Sequence, residues 1–172
     1  MANKDIQNGF SVLDVEKQTP KRYPVTNGAT VSKGDIIYMA DAGTVDETVN
    51  AGKLLGISAS TIINGLTGDL VTTAVSTRED YIMVYDDPDM EFTGQITTMA
   101  ITAPITTLAS SACYDGAGLT GVQYVNAGAS TNDEVRVKRL FNEPNGEKSV
   151  AGAYAKCVFM FNSAKHLFGH VS

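Results

Sequence analysis

Tryptophan is absent from this 172-residue chain, cysteine and histidine occur twice each, and Asp, Glu, Lys and Arg together supply only 19% of it. Each shortage closes off a class of protein. Two thiols, Cys113 and Cys157, lie far from any zinc-type spacing and cannot build a disulfide framework; they read as buried reduced cysteines, with a single bridge left open. Thirteen Lys and Arg against 19 Asp and Glu leave a net charge of −6, which disfavours nucleic acid as the main partner, because phosphate contacts need clustered cations. No apolar run approaches the roughly 20 residues that cross a bilayer, so no membrane partner is expected. Met1–Phe10 lacks the hydrophobic stretch of a signal peptide, so synthesis in a cytoplasm is expected. With Leu, Glu and Lys scarce, long amphipathic helices lack their usual material.

What is plentiful is Thr, Ser, Gly, Ala and Val, a mixture that suits strands and turns. The length allows one substantial domain, or two small ones sharing a core. The strongest local pattern is near the C-terminus, where Asp133–Phe141 and Val150–Phe161 flank Asn142-Glu-Pro-Asn-Gly146. Asn-Gly accepts positive φ at both centres of a tight hairpin turn. Val135, Val137 and Leu140 alternate with Arg136, Lys138 and Arg139, so one face meets a core and the other meets water or an acidic partner. The run Cys157-Val-Phe-Met-Phe161 is too apolar for a half-wet strand and predicts cover on both faces.

Further strands are predicted in Ile36–Met39, Leu54–Ser58, Tyr81–Tyr85, Glu91–Thr97 and Val122–Val125, between turn signals spaced as in a small sandwich or barrel. The passage from Asn27-Gly through Lys33-Gly-Asp to Met39 is echoed at Asn64–Val75, as a duplication or as two uses of one turn chemistry. A short helix over Thr107–Cys113 would suit Pro104. Residues 1–24 read as an extended arm, with Pro20 and Pro24 forbidding helix, and residues 25–172 as a single β-rich domain. The arm holds too few apolar groups to fold alone and needs a body or a neighbouring subunit. We expect it to exchange between subunits or to lie on a partner surface, so that its deletion leaves a folded domain.

Candidate chemistry is sparse. Asp86, Asp87, Asp89 and Glu91 offer oxygen ligands for a hard cation, but the spacing is not that of a calcium loop and Pro88 limits convergence. An exposed acidic turn is the preferred reading. His166 and His170 are four apart, yet Gly169 weakens the helix that would align them; His166 more simply packs on the body or contacts a neighbour. No Gly-x-Ser-x-Gly elbow, no phosphate loop and no paired carboxylates outside turns are present, so no active site, metal or cofactor is expected.

Taken in order, the arm, the passage Tyr23-Pro-Val-Thr-Asn-Gly-Ala-Thr-Val-Ser-Lys-Gly-Asp-Ile-Ile-Tyr38, the strand Leu54–Ser58, the aromatic-acidic passage Tyr81–Phe92 and Ala155-Lys-Cys-Val-Phe-Met-Phe-Asn162 before His166 resemble the head decoration (capsid cement) proteins of tailed bacteriophages. The likeness is one of layout and runs from about residue 20 onward. It implies a β-barrel or β-tulip domain on the outer capsid surface, often a trimer, that clamps adjacent capsomers and catalyses nothing. The major capsid protein and copies of this chain would be the partners. Phe10, Leu13 and Tyr23 of the arm, the cations Arg136, Lys138 and Arg139, and His166 are the candidate capsid or subunit contacts. A carbohydrate-binding or adhesive module using loops 41–50, 86–91 and 115–133 is the alternative. Only Tyr114 and Tyr124 lie beside a long loop to stack on sugars. An enzyme would require His166 or His170 to meet a carboxylate in space.

Overall fold

A computed structural model of the chain describes residues 9–40, 43–47, 53–63, 80–96, 113–114, 125–126, 135–141, 149, 155–163 and 166–169. The strands are β1 (Ser11–Val12), β2 (Lys21–Pro24), β3 (Ile36–Met39), β4 (Val45–Asp46), β5 (Lys53–Ser58), β6 (Tyr81–Tyr85), β7 (Glu91–Gln95), β8 (Cys113–Tyr114), β9 (Val125–Asn126), β10 (Val135–Leu140) and β11 (Lys156–Phe161). Sheet A has the order β1-β7-β11-β10, sheet B the order β2-β6-β5-β3-β4, and β8-β9 is a separate pair. Strand pairing within them is antiparallel throughout. Among the described residues the only helical turn is Val15–Lys17. The chain is therefore mainly β, in the form of two packed sheets, neither of which closes on itself.

The two arms of the C-terminal hairpin pair as predicted, from Val135↔Phe161 to Leu140↔Cys157. A bulge between Val137 and Arg139 inserts Lys138. Val135 and Val137 are buried, Arg136, Lys138 and Arg139 exposed. Strand β11 lies between β10 and β7, and Cys157, Val158 and Phe159 have no exposed surface. Cys157 is a free thiol. Burial pushes it up to about 12, so it stays protonated and inert. The side chain of Cys113 lies outside the described residues, as do the echo at Asn64–Val75 and the turn Asn142–Gly146. So does most of the predicted helix; its last residue, Cys113, pairs as a strand with Asn126 instead. Of the strand expected at Val122–Val125, Val125 stands in β9 and the rest is outside the described residues.

Sheet B buries both faces. Ile36 and Tyr38 join the core between the sheets, while Ile37 joins a second cluster with Val25, Val31, Val45, Ile82 and Val84. On β5 the register passes from Ile37↔Gly56 to Tyr38↔Leu54, leaving Leu55 unmatched. This bulge resets the two-residue period: Leu54 and Ile57 both face the intersheet core, and Leu55 faces the second cluster. Gly56 admits β6 beside it; a Cβ there would stand 1.9 Å from the Tyr85 carbonyl oxygen.

Residues 9–24 are part of this body. Gly9, at φ +67°, turns the chain so that the Phe10 N–H bonds the Gly34 carbonyl at 2.8 Å. The Phe10 ring, 3% exposed, meets Phe92 edge-on at 5.5 Å and Phe159 at 6.2 Å. It fits because Gly94 has no side chain: a Cβ there would lie 2.4 Å from the ring. β1 then pairs with β7 at Ser11↔Thr93, and β2 with β6 at Lys21↔Val84. The arm thus supplies an edge strand to each sheet and an aromatic to the core. That differs from an arm dispensable for folding, because a single Phe with the right seat anchors a segment otherwise too polar to fold.

Two outcomes follow. Phe10→Ala costs about 3–5 kcal/mol and Gly94→Ala about 1–3 kcal/mol, but the double variant costs no more than Phe10→Ala, since the new methyl enters space the ring has left. Urea unfolding of the four proteins checks this; additive losses would show that ring and glycine are not coupled. Deleting residues 1–24 abolishes the cooperative unfolding transition, read by circular dichroism.

Candidate functional site

Two charged clusters stand on this frame, and they differ in burial. The first crosses the outer face of sheet A. Val135 and Val137 point inward, opposite Phe161 and Phe159, so Arg136 and Arg139 point outward, opposite Met160 and Val158. Met160 is in turn opposite Glu91 of β7, which places Arg136, Met160 and Glu91 in one lateral row. Lys138 Nζ reaches Glu91 Oε1 at 2.7 Å and Arg139 Nη1 reaches Oε2 at 3.2 Å. Both side chains must cross β11 to do so, and their aliphatic stems help cover Val158 and Met160. The bulge at Lys138 lets two neighbouring residues point the same way. Arg136 forms no ion pair among the described residues.

The second cluster gathers on Asp86, where β6 ends. Its side chain is 4% exposed and accepts bonds from Lys21 Nζ at 2.8 Å and Tyr23 Oη at 2.5 Å. Gln18 Nε2 bonds Asp87 at 3.0 Å. Burial, with the hydrogen bond to Asp86 adding to it, holds the Tyr23 hydroxyl well above the usual tyrosine range. The turn is therefore not a freely exposed acidic loop: its first carboxylate is buried and engaged by β2. Asp86 satisfies the hydroxyl and ammonium of Tyr23 and Lys21, the usual requirement for a buried carboxylate.

The predicted contact residues separate along this division. Phe10 is in the core. Tyr23 is half-buried and tied to Asp86, and Leu13 is half-buried with its N–H on the Glu91 carbonyl at 2.9 Å. His166 is 5% exposed, packed against Phe161 at 5.2 Å between ring centres. It packs on the body, one of the two alternatives its sequence context left. Arg136, Lys138 and Arg139 are brought together at the surface. His170, Tyr124 and the side chain of Tyr114 lie outside the described residues. Sequence reasoning missed two anchors, Asp86 and Glu91. Each borders an apolar strand, but their roles require knowing that β2 flanks β6 and that β7 lies two strands from β10.

The carboxyl of Glu47 is perturbed. Burial first, and then the neighbouring charges of Asp35 and Asp46, push Glu47 up to about 7. Because the folded state prefers the proton, the stabilisation is full below about pH 4.5 and is lost as the pH rises through about 7. Glu47→Gln removes this dependence, so the stability difference between wild type and variant shifts against wild type across that window and is flat above it. A series of urea titrations across the window would show it; a constant difference would refute it. Asp86→Ala costs about 1–3 kcal/mol by stranding the half-buried Tyr23 hydroxyl, while Asp89→Ala, at an exposed position, stays within about 0.5 kcal/mol. Thermal unfolding of the pair is the check.

No family model, curated protein or solved structure matches this chain, so its function is argued from the geometry above and the layout of its sequence.

Proposed function

We propose that this chain is a structural protein of a phage head, which binds the outer capsid surface, cements adjacent capsomers and catalyses no reaction. The observation that carries the reading is the edge strand β10. It ends sheet A, carries three cations in four positions on a protein of net charge −6, and leaves Arg136 without an ion pair among the described residues. A rigid sheet edge of this kind suits an acidic partner surface, where charge sets orientation and encounter rate more than affinity.

A clamp also needs area, on the order of 1,000 Å² or more per contact, which one six-residue strand cannot supply. Association of copies into a closed ring, three by the resemblance, would multiply the contacts made with the shell. It would also cover strand edges that otherwise invite aggregation. In this reading the N-terminal residues brace the clamp from inside, since Phe10 and the two edge strands hold the sheets together. The partners are the major capsid protein and further copies of the chain.

The test is co-sedimentation with undecorated phage heads. Wild-type protein should bind with saturation at regular lattice positions, and Arg136→Glu should weaken binding at least about tenfold with its melting temperature unchanged. Added salt should weaken wild-type binding. A protein that stays monomeric by mass measurement and ignores the heads at low salt would end the proposal.

A further inference from the structure

Sheet B contains a gap that a distant part of the chain fills. Strand β6 pairs with β5 at Ile57↔Tyr85 and Ser58↔Val84, and the Tyr85 carbonyl then comes against Gly56. The stretch of β5 before Gly56 is met on that side by the C-terminal segment His166–Gly169. His166 bridges Leu54 in parallel, and the Leu167 N–H bonds the Leu54 carbonyl at 2.7 Å. The Leu167 side chain packs on the second core cluster, whereas Phe168 is 47% exposed. Its one backbone hydrogen bond to β5 is that of Leu167 among the described residues, and short terminal segments of this kind can open without global unfolding.

The segment is organised around one imidazole. The His166 N–H bonds the Asn162 carbonyl at 3.1 Å and its carbonyl accepts the Gly169 N–H at 3.1 Å. Its Nδ1 accepts the Phe168 N–H at 3.1 Å. An accepting Nδ1 requires the neutral ring with its proton on Nε2, and buried Nε2 has no hydrogen-bond partner among the described residues. A proton added to Nδ1 would point at the Phe168 N–H, donor against donor, and would put a full charge beside the Phe161 and Phe168 rings.

We propose that His166–Gly169 is a proton-released strap: uptake of a proton from solvent at Nδ1 of His166 breaks the Phe168 N–H bond, detaches the segment from β5 and bares a strand edge at Leu54. The groups around the imidazole set the direction. The Leu55 backbone of β5, near the ring but outside hydrogen-bond geometry with Nε2, favours the charged ring, as do Asp86, Asp87 and Asp89 of the turn after β6. Against them stands burial; Lys21 of β2, over the Phe168 ring at 5.6 Å, already occupies Asp86 together with Tyr23. From β11 the ring meets Phe161. Burial is the largest of these influences and holds His166 below 6.5. The stabilisation by neutral His166 is thus present above pH 6.5 and is lost as the pH falls through the folded value. The uncovered backbone of β5 is a site where another strand can add.

Amide exchange of Leu167, followed by NMR at about pH 7.5 and about pH 5 and corrected for intrinsic rates, tests the strap. Wild type should lose at least about tenfold in protection at the lower pH, while His166→Asn, whose side-chain oxygen replaces the Nδ1 acceptor without titrating, should keep its protection within about threefold. Equal wild-type protection at both pH values, or the same loss in the variant, would overturn the proposal. Should the variant fail to fold, ¹⁵N shifts of wild-type His166 decide. The midpoint of ring protonation must coincide with the midpoint of lost Leu167 protection, and separate midpoints would sink it.

Discussion

The Phe10 ring resting on the bare backbone of Gly94 is the contact on which the two-sheet body depends. Phe10 lies near the start of the chain, Gly94 and Phe92 in its middle and Phe159 near its end, so one cluster ties together three regions distant in sequence. The ring meets Phe92 and Phe159 edge-on, while those two stack at 5.8 Å. Each such pair contributes about 0.5–1.5 kcal/mol beyond its buried area. Against a domain stability of roughly 5–15 kcal/mol, the cluster is a large share of what orders the core face of sheet A.

That contact also explains the placing of the chain's start. Once Phe10 is seated, Ser11–Val12 lie beside β7, and the chain continues to Lys21–Pro24 along β6. One anchored aromatic thereby completes an edge of each sheet. Lys21 and Tyr23 then reach Asp86, which satisfies a carboxylate that would otherwise be buried alone at the end of β6. The acidic turn, the N-terminal strands and the C-terminal strap therefore form one connected corner of the molecule.

Local pattern was enough to find most strands. The alternation of Val135 and Val137 with Arg136 and Lys138, and the apolar run at Cys157–Phe161, reflect a two-residue period and a doubly covered strand, both visible without tertiary knowledge. Phe10 was legible only as an apolar residue in a polar arm, because a lone aromatic has no period; its role depends on a missing side chain 84 positions later (94 − 10). Leu55 was hidden for a related reason, since a bulge shifts the face of every residue on one side of it. The cations of β10 stood out as a basic patch, yet Lys138 and Arg139 are paired with Glu91. That pairing follows from sheet order, which no local stretch of sequence carries. Asp86 read as a turn residue, because burial at a strand end is set by what packs over it.

Burial decides which charged cluster can serve a partner. Glu91, Lys138 and Arg139 are 32%, 42% and 56% exposed, and surface ion pairs of this kind contribute about 0–1 kcal/mol. Lys138 or Arg139 can therefore exchange Glu91 for another carboxylate at little cost, and Arg136 has no ion pair among the described residues to give up. Asp86 is in the opposite position. With its side chain 4% exposed, removing Lys21 from it would leave a buried charge uncompensated, which is strongly destabilising. One cluster is fixed by the folding it supports, and the other is held loosely enough to be re-paired. The single carboxylate of Glu91 offsets one of the two positive charges of Lys138 and Arg139 and holds both side chains across β11.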